Sequence, residues 1–174
     1  MTTQSRFRLS IGNVAAALTV VALLVSAYLA LGRTQSVPDA TFVLLSGRKL
    51  TTADLRGKVY VVDFWATSCA TCIKEMPQMI ETYNKFKGAK FDYIAVSMKY
   101  DPPMYVINYT RTHQLPFRVA MDTGGNLERA FHDVQMTPTT FVVDKKGKIL
   151  TRILGEPDFT AFDRLIEQAL AQPA

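Results

Sequence analysis

The chain's two cysteines, Cys69 and Cys72, stand two residues apart at the end of an apolar run, Val59-Tyr60-Val61-Val62-Asp63-Phe64-Trp65. A strand, then Cys-x-x-Cys, then a helix is the layout of a dithiol redox site. A helix that begins at the motif aims unpaired N–H groups and a positive dipole end at the first cysteine, which favours its thiolate. The second cysteine is then close enough to attack a mixed disulfide formed by the first. Other uses of the pair fit less well. A purely structural disulfide over so short a loop removes little chain entropy. A zinc site wants four ligands, and the chain adds only His113 and His132 to the pair. Haem attachment needs His directly after the second cysteine, where Ile73 stands.

Ahead of this region lies an uncharged apolar stretch, residues 11–31, with Arg6 and Arg8 before it and Arg33 after it. About 20 apolar residues span a bilayer as a helix. The arginines predict a cytoplasmic segment 1–10, a transmembrane anchor over 11–31 and export of everything beyond. A cleaved signal peptide is the alternative, with Ala30-Leu31-Gly32 as a tolerable cleavage site. Signal cores usually run to about 7–15 residues, so the length favours the anchor. A linker over 32–39 and a domain over 40–174 complete the expected organisation.

The sequence pI near 9.3 would suggest a polyanionic partner. Arg6, Arg8 and Arg33 account for three of the 20 basic residues, which leaves 17 against 15 acidic ones in the exported part. No basic stripe with interleaved aromatics remains, which argues against nucleic acid.

Beyond the linker the pattern alternates between strands and helices, which implies an α/β layered sheet. Strands are expected over Thr41–Leu45, Val59–Trp65, Phe91–Met98, Leu115–Met121, Thr139–Val143 and Ile149–Leu154. The unbroken apolar character of Val59–Trp65 suits a central strand buried on both faces. Helices are expected from about Cys72 to Phe86, kinked at Pro77, from the Pro102-Pro103 start to His113, over Leu127–Phe131, and after Asp158 as an N-cap.

Three segments carry a resemblance: Val61-Val62-Asp63-Phe64-Trp65-Ala66-Thr67-Ser68-Cys69-Ala70-Thr71-Cys72, Lys74-Glu75-Met76-Pro77, and Met136-Thr137-Pro138-Thr139-Thr140-Phe141. With their order and spacing, the chain resembles the thioredoxin superfamily. More narrowly it resembles membrane-anchored thiol–disulfide oxidoreductases of the TlpA/ResA/CcmG group, over residues 38–171. The implied fold is thioredoxin-like: a central mixed sheet flanked by helices, with an N-terminal strand extension. A helix–strand insertion at about 101–121 accounts for the 66-residue interval from Cys72 to Pro138. Ser68 stands where this family usually has Trp, which changes the surface a partner meets. Ala70-Thr71 between the cysteines contains no proline, and that dipeptide influences thiol pKa and reduction potential.

Cys69 is the expected nucleophile and Cys72 the resolving thiol, joined as a disulfide in the oxidised form. Asp63 interrupts an apolar strand, where burial raises a carboxyl pKa and makes its charge costly. The resemblance makes it a proton relay for Cys72; a partly wet strand-end acid paired with Lys58 or another cation is the bland alternative. Glu75 resembles the acid that tunes the thiols in ResA-like proteins, although a first-turn glutamate is also favoured by the helix dipole alone. By resemblance Pro138 is cis and faces the dithiol, leaving the Thr137 backbone to pair with an extended substrate. Trp65 packs beside the motif and is grouped with the client-binding residues. His113 and His132 are expected at the surface.

The reading is an extracytoplasmic, single-pass oxidoreductase that needs no cofactor and reduces protein disulfides. Clients implied by the family are apocytochrome c or metal-centre assembly factors, with a membrane electron donor of the thiol-relay type restoring the dithiol. The rivals are a disulfide oxidase or isomerase, a peroxiredoxin-like peroxidase and a copper-binding assembly chaperone. The peroxidase lacks its Pro-x-x-x-Thr-x-x-Cys loop, since Val62 and Ala66 occupy the Pro and Thr positions.

Overall fold

The computed structural model describes residues 18–22 and 35–173. Residues 18–22 are helical; the rest of the 11–31 run, and with it the anchor, lies outside the described residues. Among the described residues no helix is long and apolar enough to cross a membrane. The chain divides after Thr34, and the unit from Gln35 onward carries the sheet and both cysteines.

Its centre is the strand β3 (Val59–Trp65), every residue of which is buried. A short hairpin, β1 (Thr41–Val43) with β2 (Lys49–Thr51), precedes it. On one side β3 runs parallel to β4 (Phe91–Ser97), and β4 parallel to β5 (Arg118–Met121). On the other side it is antiparallel to β6 (Thr139–Val143), which is antiparallel to β7 (Ile149–Leu154). The order β5-β4-β3-β6-β7 is a mixed, thioredoxin-like sheet. Part of the segment expected as linker is already bonded to the fold, since Val37 N–H donates to Gly147 O at 2.8 Å and Ile149 N–H to Gln35 O at 2.9 Å.

Successive residues of a strand face opposite ways, and β3 divides the core accordingly. Tyr60, Val62 and Phe64 join the layer made with the β1–β2 hairpin and with α3 (Asn126–Ala130). Phe64, Phe131 and Phe141 meet there at centroid distances of 5.3–6.0 Å. Such edge contacts add about 0.5–1.5 kcal/mol per pair to the area each ring buries. Val59, Val61 and Trp65 face the second layer, formed by α1 (Ala70–Phe86), α2 (Pro103–Thr112) and α4 (Phe159–Ala171). Burial on both faces explains why β3 shows no polar alternation, and it leaves Asp63 as the one carboxylate in that strand.

Two of these elements depart from the sequence reading and a third matches it. α1 starts at Ala70, earlier than expected, because Cys69 itself caps it, and the helix continues through Pro77. β5 starts at Arg118 rather than Leu115; Pro116 has no N–H for a ladder. α4 follows the expectation, with Asp158 Oδ1 accepting from Thr160 N–H and Ala161 N–H at 3.0 and 3.1 Å.

Candidate functional site

β3 delivers the motif. After Trp65 the chain turns, and Cys69 N–H donates to Ala66 O at 3.1 Å to close the turn. Cys69 is the N-cap of α1, and its Sγ accepts from Cys72 N–H at 3.2 Å. A first-turn amide therefore points at this sulfur, which is the arrangement that stabilises a thiolate at a helix N-terminus. Cys69 and Cys72 form a disulfide with Cα atoms 5.3 Å apart. Cys69 is half-buried, whereas Cys72 is buried among Trp65, Met76 and Met79. Exposure thus separates an approachable sulfur from an enclosed one.

The Thr137–Pro138 peptide is cis, as expected, and leads directly into β6. Thr137 is half-buried and Pro138 buried. Among the described residues, no protein hydrogen bond uses the Thr137 N–H or C=O. The corner after β4 connects this segment with the motif: Tyr100 Oη lies 3.3 Å from Thr137 Oγ1, and the Asp101 carboxylate accepts from Thr67 N–H.

The strand before the motif and the helix after it each bury an acid, and the two interact. Asp63 is 1 % exposed and accepts from Tyr93 Oη and Thr140 Oγ1, each at 3.1 Å. Both donors are neutral. Burial pushes its pKa up to about 6, with the two hydroxyl bonds pulling the other way. The alternative pairing with Lys58 is corrected by the structure: Lys58 Nζ lies 3.3 Å from Asp92, at the opposite end of the β3–β4 pair. Glu75 is also 1 % exposed, and neither carboxyl oxygen meets a protein donor. Burial, then the charges of Asp63 and Glu156, push its pKa up to about 8. The helix-dipole account of Glu75 does not hold either, because α1 begins at Ala70 and has no acid in its first turn. Glu75 instead lies one helical turn after Cys72 on the inward side. Burial and the charges of Asp63 and Glu75 hold the Tyr93 hydroxyl far above its ordinary pKa, so it serves Asp63 as a donor.

Trp65, grouped with the client-binding residues, is 0 % exposed and packs on Tyr109 at 5.3 Å. It supports the site from inside and offers no surface to a client. His113 stacks on Tyr109 at 3.9 Å, and both histidines are exposed as expected. Sequence reading missed Tyr93, Thr140, Tyr100 and Asp101. Tyr93 is two residues from Ala95, the β4 partner of Asp63, and Thr140 is the β6 partner of Asp63, so register alone brings them in.

An approachable sulfur at a helix end, an enclosed sulfur beside it and two uncompensated buried acids can pass two electrons and manage the accompanying protons. The chain is similar in sequence to known proteins. The redoxin family profile matches residues 33–166. The thiol–disulfide oxidoreductase ResA of Bacillus thuringiensis subsp. konkukian (strain 97-27) is 34 % identical over 122 residues, covering 70 % of this chain and 69 % of that one. ResA of Geobacillus kaustophilus (strain HTA426) is 31 % identical over 132 residues, covering 76 % and 75 %. Among solved structures, a thioredoxin-family thiol:disulfide interchange protein from Chlorobium tepidum TLS superposes with a TM-score of 0.73 at 29 % identity, covering 80 % of this chain and 99 % of that one. The chain belongs to the redoxin family, in the TlpA/ResA/CcmG-like part of the thioredoxin superfamily, and is a thiol–disulfide oxidoreductase.

Proposed function

We propose that the chain is a membrane-tethered reductase of protein disulfides that works outside the cytoplasm. In the reduced protein the Cys69 thiolate attacks one sulfur of a client disulfide. A Cys69–client disulfide forms, and the other client sulfur leaves as a thiolate and takes a proton. Cys72 then gives its proton to the Asp63–Glu75 pair and attacks Cys69 Sγ. The intramolecular disulfide forms, and the second client sulfur leaves. Two electrons have passed to the client, and a membrane donor of the thiol-relay type returns them by the reverse exchange. The clients are apocytochrome c or a metal-centre assembly factor, held along the cis-proline segment by backbone pairing with Thr137.

The observation that carries this direction is a pair of interacting buried acids, one of them a helical turn after Cys72, neither matched by a cation. Their shared negative charge penalises a thiolate at Cys72, so the reduced form gains no stabilisation from ionising that thiol. A dithiol without such stabilisation is the more reducing one and donates electrons. Equilibration with a dithiol buffer tests it. A potential below about −230 mV, on the reducing side of glutaredoxins, is expected. A value near the DsbA potential of about −120 mV would make the protein an oxidase instead. Clients held as mixed disulfides on Cys72→Ala in cells would identify the substrate.

The apolar run 11–31 with its flanking arginines supports the tether. The full-length chain is expected in the membrane pellet after a carbonate wash. A shortened soluble form starting near Arg33 would remove the anchor and leave export intact.

A further inference from the structure

The corner between β4 and α2 holds a buried carboxylate that this chemistry does not use. Asp101 is 3 % exposed. Its Oδ2 accepts from Thr67 N–H at 2.6 Å and its Oδ1 from the Thr67 hydroxyl at 2.5 Å. Its own N–H donates to Met98 O at 3.0 Å, and Met98 N–H to Trp65 O at 3.0 Å, so the corner is fastened to the ends of β3 and β4. Asp before a helix usually serves as a cap. Here the N-cap is Pro102, and α2 receives no side-chain cap bond. Both carboxyl oxygens go to one residue of the dithiol turn instead.

That turn is short. Thr67 stands two residues before Cys69, inside the loop that Cys69 N–H closes onto Ala66 O. Fixing Thr67 by backbone and side chain together fixes both the height and the rotation of the turn. It thereby sets where Cys69 Sγ lies relative to the first amides of α1. Immediately before it, Tyr100 reaches Thr137 on the cis-proline side. One corner thus spans the two segments between which a client disulfide has to fit.

We infer that Asp101 is a positioning residue for the exchange reaction, latching the Thr67 turn so that Cys69 is presented at the end of α1. The inference rests on Cys69 being the attacking thiol. Displacing a reacting group by about 1 Å can cost on the order of 100-fold in rate.

The test uses the reduced full chain, 2-hydroxyethyl disulfide as the oxidant, and iodoacetamide labelling of each cysteine followed by mass spectrometry. Asp101→Ala is expected to slow exchange at least ~10-fold and to slow Cys69 labelling across pH. Asp101→Asn is expected to stay within about 3-fold of the wild type, because its carboxamide can accept from Thr67 N–H and donate to the Thr67 hydroxyl. Asp101→Ala rates within that same margin would overturn the latch. So would an Asp101→Asn as slow as Asp101→Ala, since rescue by the conservative variant is what a mere loss of folding cannot give. Should Asp101→Ala not fold, Thr67→Val replaces it: it removes only the hydroxyl bond. A loss of about 3-fold restored by Thr67→Ser supports the latch, and no loss overturns it. If Cys72 labels faster than Cys69 in the wild type, the assignment of roles fails and this inference with it. A wild type that labels Cys69 first, beside an unaffected Asp101→Ala, overturns the inference alone.

Discussion

Asp92 and Asp63 are buried carboxylates on neighbouring strands of one sheet, and the fold treats them in opposite ways. Asp92 lies opposite Tyr60 in the β3–β4 ladder, away from the dithiol. It has Lys58 at 3.3 Å, Arg118 in direct contact, and Tyr93 N–H at 3.0 Å. Asp63, toward the dithiol end, has two neutral hydroxyls, and Glu75 beside it has no protein donor. A buried acid with cations around it has its charge matched and helps to hold the strands. A buried acid without one is poised to lose its charge, and so exchanges protons readily. Compensation thus distinguishes the structural acid from the two proposed to relay protons, although all three are equally hidden from solvent.

The largest effect expected from this contrast is on stability against pH in the oxidised protein. Asp63 and Glu75 keep their protons to about pH 6 and about pH 8 in the folded chain, above their ordinary values. The folded state therefore binds more protons than the unfolded state between about pH 4 and pH 8, and stability falls as pH rises through that window. The two groups titrate as a coupled pair, with one proton held between them near neutrality. Asp63 alone costs on the order of 3 kcal/mol by the top of the window, and Glu75 adds to it. Urea melts of the wild type and of an Asp63→Asn/Glu75→Gln double variant should converge near pH 4 and diverge steadily above it, the variant being the more stable. Parallel curves would mean that the acids are compensated after all.

The next effect is kinetic. Asp63→Asn leaves both hydroxyl partners usable and removes the proton acceptor. Resolution of the mixed disulfide by Cys72 should slow by on the order of 100-fold, the scale of general acid–base catalysis, while its formation at Cys69 changes little. Stopped-flow exchange with a model disulfide separates the two steps. Unchanged rates from about pH 6 to 9, around the usual thiol pKa, would remove Asp63 from the mechanism.

How much of this could be read from the residues follows the same division. The dithiol was legible because cysteine chemistry is local: four consecutive residues between a strand and a helix define it. Asp63 was legible because a charge inside an apolar run contradicts its surroundings. Glu75 was legible only through resemblance; its inward orientation depends on where α1 starts, and that start moved once Cys69 became the cap. Trp65 was misplaced because an aromatic beside a motif reads the same whether it faces a client or the core, and only the packing of α2 decides. Asp101 carried no signal at all. It reaches Thr67 across 34 residues, and before two prolines it reads simply as the opening of a helix. Lys58 was matched to the wrong acid for a similar reason, since strand pairing brings Asp92 to it across another 34 residues.

The smallest effect belongs to the compensated end and serves as the control for the others. Asp92→Ala leaves Lys58 and Arg118 without their partner and Tyr93 N–H without its side-chain acceptor. Breaking a fully buried pair costs about 3–5 kcal/mol. Here the cationic side chains are 31 % and 30 % exposed, so water can solvate them and the loss should be smaller, about 2 kcal/mol. Asp92 is remote from both cysteines along the strands, so exchange rates should stay as they are. The opposite signs are what matter: removing the paired acid weakens the fold and spares the chemistry, whereas Asp63→Asn at pH 8 strengthens the fold and impairs the chemistry. Urea melts and exchange kinetics on the same two preparations read both signs. An Asp92→Ala protein with full stability would show that Lys58 and Arg118 contribute nothing net. One with slowed exchange would show that the strand ends are coupled, and compensation would then no longer separate structural acids from working ones.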